Sequence, residues 1–315
     1  MIYYCDADLR VINGGGKVFI EHVYFLNRHG LDAKLVLSHP VNWWFYDVTP
    51  FTIYRPDFLH QLDRKKDIIV FTGPWAYPWT TLLADSCVYL IQGFRDKVFY
   101  PRDPYYRQDQ MIIKNGAIHK IAVSKSISDY HLETNGVSIP VLNNGIMLDQ
   151  YLSAPRKTAG KVFCHARKGT ETAGIFKAHF HLHELSRRFE LCYAERGTFL
   201  SLHETIQTYQ ETKYFLDFSP LDGFALMPLE AMASGCIVFC LKNGGNREYL
   251  RNGVNGFCYE KDQPNLIPNV LSRIVELEND ESFCERVRAN ALATAQTFDW
   301  ESRIMPYVDF YGKLH

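Results

Sequence analysis

Short apolar runs alternate with amphipathic stretches through the first half of the chain: MIYYCDA, GGGKVFIEHVYFLNRHG, AKLVLSH, DIIVFTG, CVYLIQG and HKIAVS. An apolar run, a segment of 3.6-residue period and another apolar run together predict βαβ units on a parallel sheet. In the first amphipathic stretch Phe19, Val23 and Leu26 share one helical face, and Gly30 stands where a left-handed residue would close the helix. A second series, KVFCHA, FELCYA, YFLDFS, CIVFC and GFCYE, follows the polar stretch SAPRKTAG at 153–160. That stretch reads as a linker, and the series after it as a second parallel-sheet domain. Three helical segments close the chain, around NLIPNVLSRIVEL, ESFCERVRANALATAQTF and WESRIMPYVDFYGKL; they carry no fixed-period repeat, so no solenoid is expected.

A length of 315 residues exceeds what one hydrophobic core usually spans, which agrees with two domains. With 47% hydrophobic and 22% charged residues, the composition gives no sign of an extended disordered region. The 34 basic and 35 acidic residues leave a formal net charge of -1, so the footprint of a non-specific nucleic-acid or anionic-membrane binder is missing. The eight cysteines form no CxxC pair, and several lie in apolar runs such as Cys236 to Cys240, which predicts reduced core residues. The amino terminus lacks a basic region followed by an apolar stretch, and no run approaches the roughly 18 apolar residues of a membrane span. The expected compartment is the cytoplasm.

The richest chemistry lies in LDGFALMPLEAMASGCIVFCLKNGGNREYLRNGVNGF, from Leu221 to Phe257. It predicts a loop, a helix, a buried strand, a Gly-Gly turn and a polar loop. Pro228 suits the first helical turn, where its missing N–H costs nothing, and Glu230 is expected in that turn at the positive end of the dipole. A helix amino terminus at the carboxyl edge of a parallel sheet suits a diphosphate, and a carboxylate beside it can accept from two vicinal ribose hydroxyls. Each feature alone has a structural explanation: a first-turn acid, the core packing of Ala231, Met232 and Ala233, a plain turn at Gly244-Gly245. Their conjunction points to a nucleotide diphosphate.

These residues resemble the signature of glycosyltransferase family 4, also called glycosyl transferases group 1. The resemblance is carried by Asp222-Gly223-Phe224, Leu229 to Ala233, Gly235, Gly244-Gly245, Glu248, and Gly253 with Gly256. It implies a GT-B fold, an α/β architecture of two Rossmann-like parallel-sheet domains facing a central cleft. The acceptor-side domain would span 1–152 and the nucleotide-sugar domain 153–297, with a helix over 298–315 crossing back to the first. Asn144-Gly145-Ile146 before the linker and Trp300 in the closing helix extend the likeness. By that resemblance Glu230 holds the ribose, Asp222 faces the transferred sugar in place of the family's Glu, and Gly223, Phe224, Ala225 and Leu226 approach sugar and phosphate oxygens. Arg167, after KVFCHA, fits a cation that clamps the diphosphate. Thr172 stands where the second clamp is expected, which leaves Lys168 as its candidate.

In the amino-terminal half Asn13-Gly14-Gly15-Gly16 is expected as a loop between the first strand and first helix, with Gly15 and Gly16 letting backbone approach a ligand; the family resemblance places such a loop across the cleft from the donor phosphates. It is not G-x-G-x-x-G, and Ser38-His39 stand where a dinucleotide site needs an acid. CVYLIQGFRDKVFYP resembles a subset of family 4 related to rhamnosyl-polymer synthesis through Gln92, Phe99, Tyr100 and Pro101, with Gly93 and Arg95 in place of acids. Gln92 and Trp75, the latter in an aromatic run reaching Trp79, are acceptor-side candidates; Trp43 to Tyr46 form a second aromatic cluster. Asp6-Ala7-Asp8 reads as strand-end acids, so no metal and no cofactor is expected. The expected reaction is transfer from a nucleoside-diphosphate sugar, with retention, to an acceptor hydroxyl on a glycan or lipid-linked glycan, a modified DNA base or a small metabolite. The rivals are a sugar-nucleotide epimerase of the same fold and a non-catalytic nucleotide-sugar-binding protein.

Overall fold

The apolar runs become strands because their alternate residues fill both faces of a sheet covered by helices, as a parallel sheet requires. The computed structural model describes residues 1–5, 14–39, 47–76, 83–95, 102–152, 160–166, 168–195 and 200–314. These divide into two units, Met1–Gly145 with Trp300–His315, and Ile146–Asp299.

The first unit holds a six-stranded parallel sheet made of β1 (Ile2–Tyr4), β2 (Ala33–Leu37), β3 (Thr52–Tyr54), β4 (Ile68–Phe71), β5 (Ser86–Ile91) and β6 (His119–Ala122). Their order is β3-β2-β1-β4-β5-β6, the doubly wound dinucleotide-fold order, which reverses between β1 and β4. Ile2 pairs with both Ala33 and Ile68 and is fully buried. Strand β3 escapes the apolar-run reading because Ile53 is the one buried residue of its Thr-Ile-Tyr. The first helix runs from Gly14 to Arg28 and buries Phe19, Val23 and Leu26. Gly30, at φ +84°, ends it, with the Leu31 amide donating to the Leu26 carbonyl at 3.0 Å. Gly14, Gly15 and Gly16 form the first turn of this helix instead of a loop ahead of it.

Residues 300–312 complete this unit. Trp300 is wholly buried, and its indole N–H donates to Glu21 at 2.9 Å. Lys17 lies 3.8 Å from the same carboxylate, so a buried acid on the first helix is balanced from two sides. The Tyr4 hydroxyl meets Tyr311 at 2.9 Å and His22 at 3.1 Å.

The second unit holds β7 (Lys161–His165), β8 (Glu190–Ala194), β9 (Tyr214–Asp217), β10 (Ile237–Leu241) and β11 (Phe257–Tyr259), all parallel, in the order β11-β10-β9-β7-β8. This is the flavodoxin-like order, which reverses between β7 and β9. The core is aromatic and aliphatic: Phe239 stacks on Phe257 at 5.0 Å, and Tyr214 meets Phe239 edge-on at 6.0 Å. The unit begins at Ile146, whose amide donates to the Phe298 carbonyl at 2.8 Å, ahead of residues 153–159, which lie outside the described residues. All eight cysteines are free thiols, six of them buried. Among the described residues no helix is long and apolar enough to cross a membrane.

Candidate active site

The point where strand order reverses is where loops leave a doubly wound sheet toward opposite faces and open a crevice at its carboxyl edge. In the second unit that point lies between β7, ending in His165, and β9, ending in Asp217. The loop after β7 carries Lys168 and the loop after β9 carries Asp222, and Lys168 Nζ pairs with Asp222 Oδ1. Gly169 makes this meeting feasible. A Cβ there would lie 2.0 Å from the Phe218 carbonyl oxygen, so only glycine lets the first loop rest on the backbone of the second. Arg167 lies outside the described residues, as do Asp6 and Asp8.

Electrostatics at this edge are tight. Asp217 is buried and accepts from the Ser219 amide at 3.0 Å and its hydroxyl at 2.6 Å; burial raises its carboxyl, against those hydrogen bonds and Lys168. Burial pushes the Asp222 carboxyl up to about 6, opposed by Lys168 and reinforced by Asp217, with His165 acting in the same direction as Lys168. The pair is thus a partly exposed ammonium against a carboxylate that gives up its proton reluctantly.

Beyond Asp222 the chain runs through Gly223, Phe224 and Ala225 into a helix at Leu226–Ala233. Pro228 is its third residue, within the first turn. Glu230 is the fifth, so the acid expected in the first turn stands one turn further in, and the first turn holds no acid. Helical side chains lean toward the amino terminus, so the deeper position still directs Glu230 back toward the helix start. Its side chain is buried, with only 4% of the residue exposed.

The Gly-Gly turn after β10 braces this approach. The Asn243 carboxamide accepts from the amides of Gly245 and Asn246, both at 3.0 Å, while Asn246 accepts from Asn243 N–H at 3.1 Å. Asn243 also donates to the Ser219 carbonyl at 2.9 Å, joining the loops after β9 and β10. A Cβ on Gly245 would fall 2.5 Å from Ala225 N and 2.8 Å from Phe224 Cα. Tyr249 donates to the Ala225 carbonyl at 2.5 Å, and Phe224, Tyr249 and Phe298 meet ring to ring at 5.8–6.1 Å. Backbone at 223–226 is therefore clamped from behind before any ligand arrives.

In the first unit Gln92 follows β5 and donates from Nε2 to the Gly15 carbonyl at 3.4 Å, joining two expected site positions. Gly16 is buried and Gly15 half-buried. Gln92 and Trp75 line one cavity of about 670 Å³ beyond β4 and β5, together with Phe94, Arg95, Arg102 and Asp103. Pro74 and Ala76 are core residues, and Trp75 between them is 43% exposed. Trp79 and the cluster at Trp43 lie outside the described residues, as do Phe99, Tyr100 and Pro101.

Residues 198–293 match the family described as glycosyl transferases group 1. That segment is a glycosyl transferases group 1 domain. An alpha-1,6-glucosyltransferase of Actinobacillus pleuropneumoniae serotype 7 is 24% identical over 244 residues, 75% of this chain and 71% of that protein. Other curated relatives match over about a third of their own length or less. Sucrose-phosphate synthase from Thermosynechococcus elongatus superposes with a TM-score of 0.73 at 13% identity, covering 99% of this chain and 98% of that one. Anabaena HepE in complex with UDP and glucose gives 0.70 at 15% identity, covering 99% of each. The fold is GT-B.

Within the group 1 domain and its surroundings, sequence reading passes over His165, Asp217, Ser219 and Asn243. His165 and Asp217 end apolar runs and could have been flagged as the first polar residues past the carboxyl edge of a strand. Ser219 and Asn243 have no local signal, because their partners come from other loops.

Proposed function

We propose that the chain transfers a glycosyl group from a nucleoside-diphosphate sugar to the hydroxyl of a glycan-type acceptor. The observation that carries this reading is the meeting of Lys168, Asp222 and the clamped 223–226 backbone at the switch point of the second sheet, one helical turn from Glu230. Anabaena HepE, alike in fold, is described in complex with UDP and with UDP-glucose, which supports a nucleotide sugar as donor.

In this reading Glu230 accepts from the ribose hydroxyls, and the free amides at the start of the Leu226–Ala233 helix receive phosphate oxygens. The bond between the anomeric carbon and the diphosphate oxygen breaks, the electron pair leaves with the diphosphate, and a bond to the acceptor oxygen forms as its proton passes to the departing diphosphate oxygen. Charge grows on the leaving diphosphate, so Lys168 is turned from Asp222 toward it, with Arg167 as the other cation. Asp222, freed from the pair, accepts from hydroxyls of the transferred sugar. Gly15 and Gly16 serve the donor from the first helix, and Gln92 and Trp75 the acceptor. The family likeness supports retention of anomeric configuration, which the anomeric coupling in the product's proton NMR spectrum reads directly.

Glu230→Ala is the direct test. Donor hydrolysis and transfer fall about a hundredfold or more while circular dichroism and the unfolding midpoint stay near wild type. Full activity in that variant would refute the donor site. Epimer formation from the nucleotide sugar without acceptor would replace transfer by isomerisation.

A further inference from the structure

The first-unit cavity combines two surfaces with different chemistry. One is aromatic. Trp75 lies against Gly73, where a Cβ would sit 2.2 Å from the indole ring, and Tyr105 meets it edge-on at 5.6 Å. Phe94 joins the wall, held edge to face by Tyr130 at 5.8 Å. A rigid ring of this kind packs the C–H face of a sugar at little entropic cost.

The other surface is charged. Asp103 is committed to Arg95 at 2.7 Å and also accepts the Tyr105 amide at 2.9 Å. The Arg95 guanidinium lies 5.6 Å from the Trp75 ring centre. Asp103 neutralises Arg95, whereas Arg102 forms no ion pair among the described residues. The Tyr89 hydroxyl is occupied by Asp109 at 2.6 Å. Among the described residues the lining therefore keeps one guanidinium without an ion-pair partner next to an aromatic platform, in a volume of about 670 Å³ that suits a small-molecule site.

We propose that this cavity takes an anionic saccharide, whose ring stacks on Trp75 and whose carboxylate or phosphate pairs with Arg102. The inference rests on the transferase reading above and names the acceptor class for it. A neutral glycan draws only ordinary hydrogen bonds from the extra guanidinium. A uronate or a sugar phosphate gains a charge-assisted, bidentate contact.

The test is saturation-transfer NMR titration of the full chain with a neutral disaccharide, its uronate-terminated form and its phosphorylated form. Both or either anion should bind about tenfold more tightly than the neutral parent. Arg102→Gln should erase that advantage, and added salt should shrink it. Trp75→Ala should weaken all three ligands, while Arg107→Gln, an exposed cation outside the lining, should keep the preference. Preference for the uronate assigns a carboxylate acceptor, and preference for the phosphate a phosphorylated one. Equal binding of the neutral parent, or anion binding indifferent to Arg102→Gln, overturns the proposal. UDP binding is measured on the same sample by calorimetry. Its loss with anion preference intact refutes the donor reading alone, and its presence without that preference refutes this inference alone.

Discussion

Replacing Gly245 by alanine is the sharpest perturbation of the second unit. The added Cβ would lie 2.5 Å from Ala225 N, 2.8 Å from Phe224 Cα and 2.9 Å from the Phe224 carbonyl carbon, all backbone atoms. The closest is about 0.9 Å short of the 3.4 Å at which ordinary contact begins. The turn cannot simply retreat, because Asn243 and Asn246 hold it and Tyr249 holds the opposing Ala225 carbonyl. Forced overpacking of this kind costs about 1–3 kcal/mol. Spread over a unit of this size, each kcal/mol lowers Tm by roughly 2–4 °C. The shift also moves the 223–226 backbone by a large part of an ångström, and misplacement of about 1 Å at a reacting site costs roughly a hundredfold in rate. Scanning calorimetry and donor kcat/KM read the two effects separately. Gly174→Ala is the control: it lies in the Thr170–Leu182 helix with nothing within 4 Å of its Cβ position, and should stabilise by about 0.5–1 kcal/mol. If Gly245→Ala matched wild type in both Tm and kcat/KM, this turn would not brace the 223–226 backbone.

Other expectations follow from ionisation. With Asp222 pushed up to about 6, its ionised form fills as pH rises through that value, so donor kcat/KM should climb to a plateau above it. In Asp222→Asn that acidic limb should vanish from the pH profile along with most of the activity. Because the folded value is raised, the fold favours protonated Asp222, and its contribution to stability is full below the ordinary carboxyl value of 3.8 and lost as pH rises through about 6. His22 has the opposite sign. Burial lowers it from 6.5 to about 3, so the unfolded chain takes up a proton that the folded unit refuses, and stability falls as pH drops below about 6.5. His131, lowered by burial to about 4, adds to this trend. Thermal unfolding between about pH 7 and 4 should show it, and His22→Gln should flatten it; an unchanged slope in that variant would remove His22 from the account.

Local sequence was enough for much of this protein. Apolar runs marked ten of the eleven strands among the described residues, since a strand buried on both faces must be apolar along its length. Spacing also placed Phe19, Val23 and Leu26 inward and Gly30 at a left-handed closure, because helical period and φ > 0 are properties of a few neighbouring residues. Helix limits were less legible: the glycine run starts the first helix, and Glu230 falls a turn deeper, because backbone hydrogen bonds that extend a helix depend on what braces its end. Tertiary structure alone decided the partnerships. Lys168 meets Asp222 across 54 residues, Trp300 caps Glu21 across 279, and Arg95, Asp103 and Trp75 meet in one wall. Periodicity encodes that a side chain is buried or exposed, whereas the group it faces follows from strand order. The Asp222 to Glu248 stretch suggests a nucleotide-sugar site from its residues alone; its Lys168 counter-charge, its packing at Gly245 and the raised Asp222 carboxyl required the fold, because the groups involved come from different loops brought to the same sheet edge.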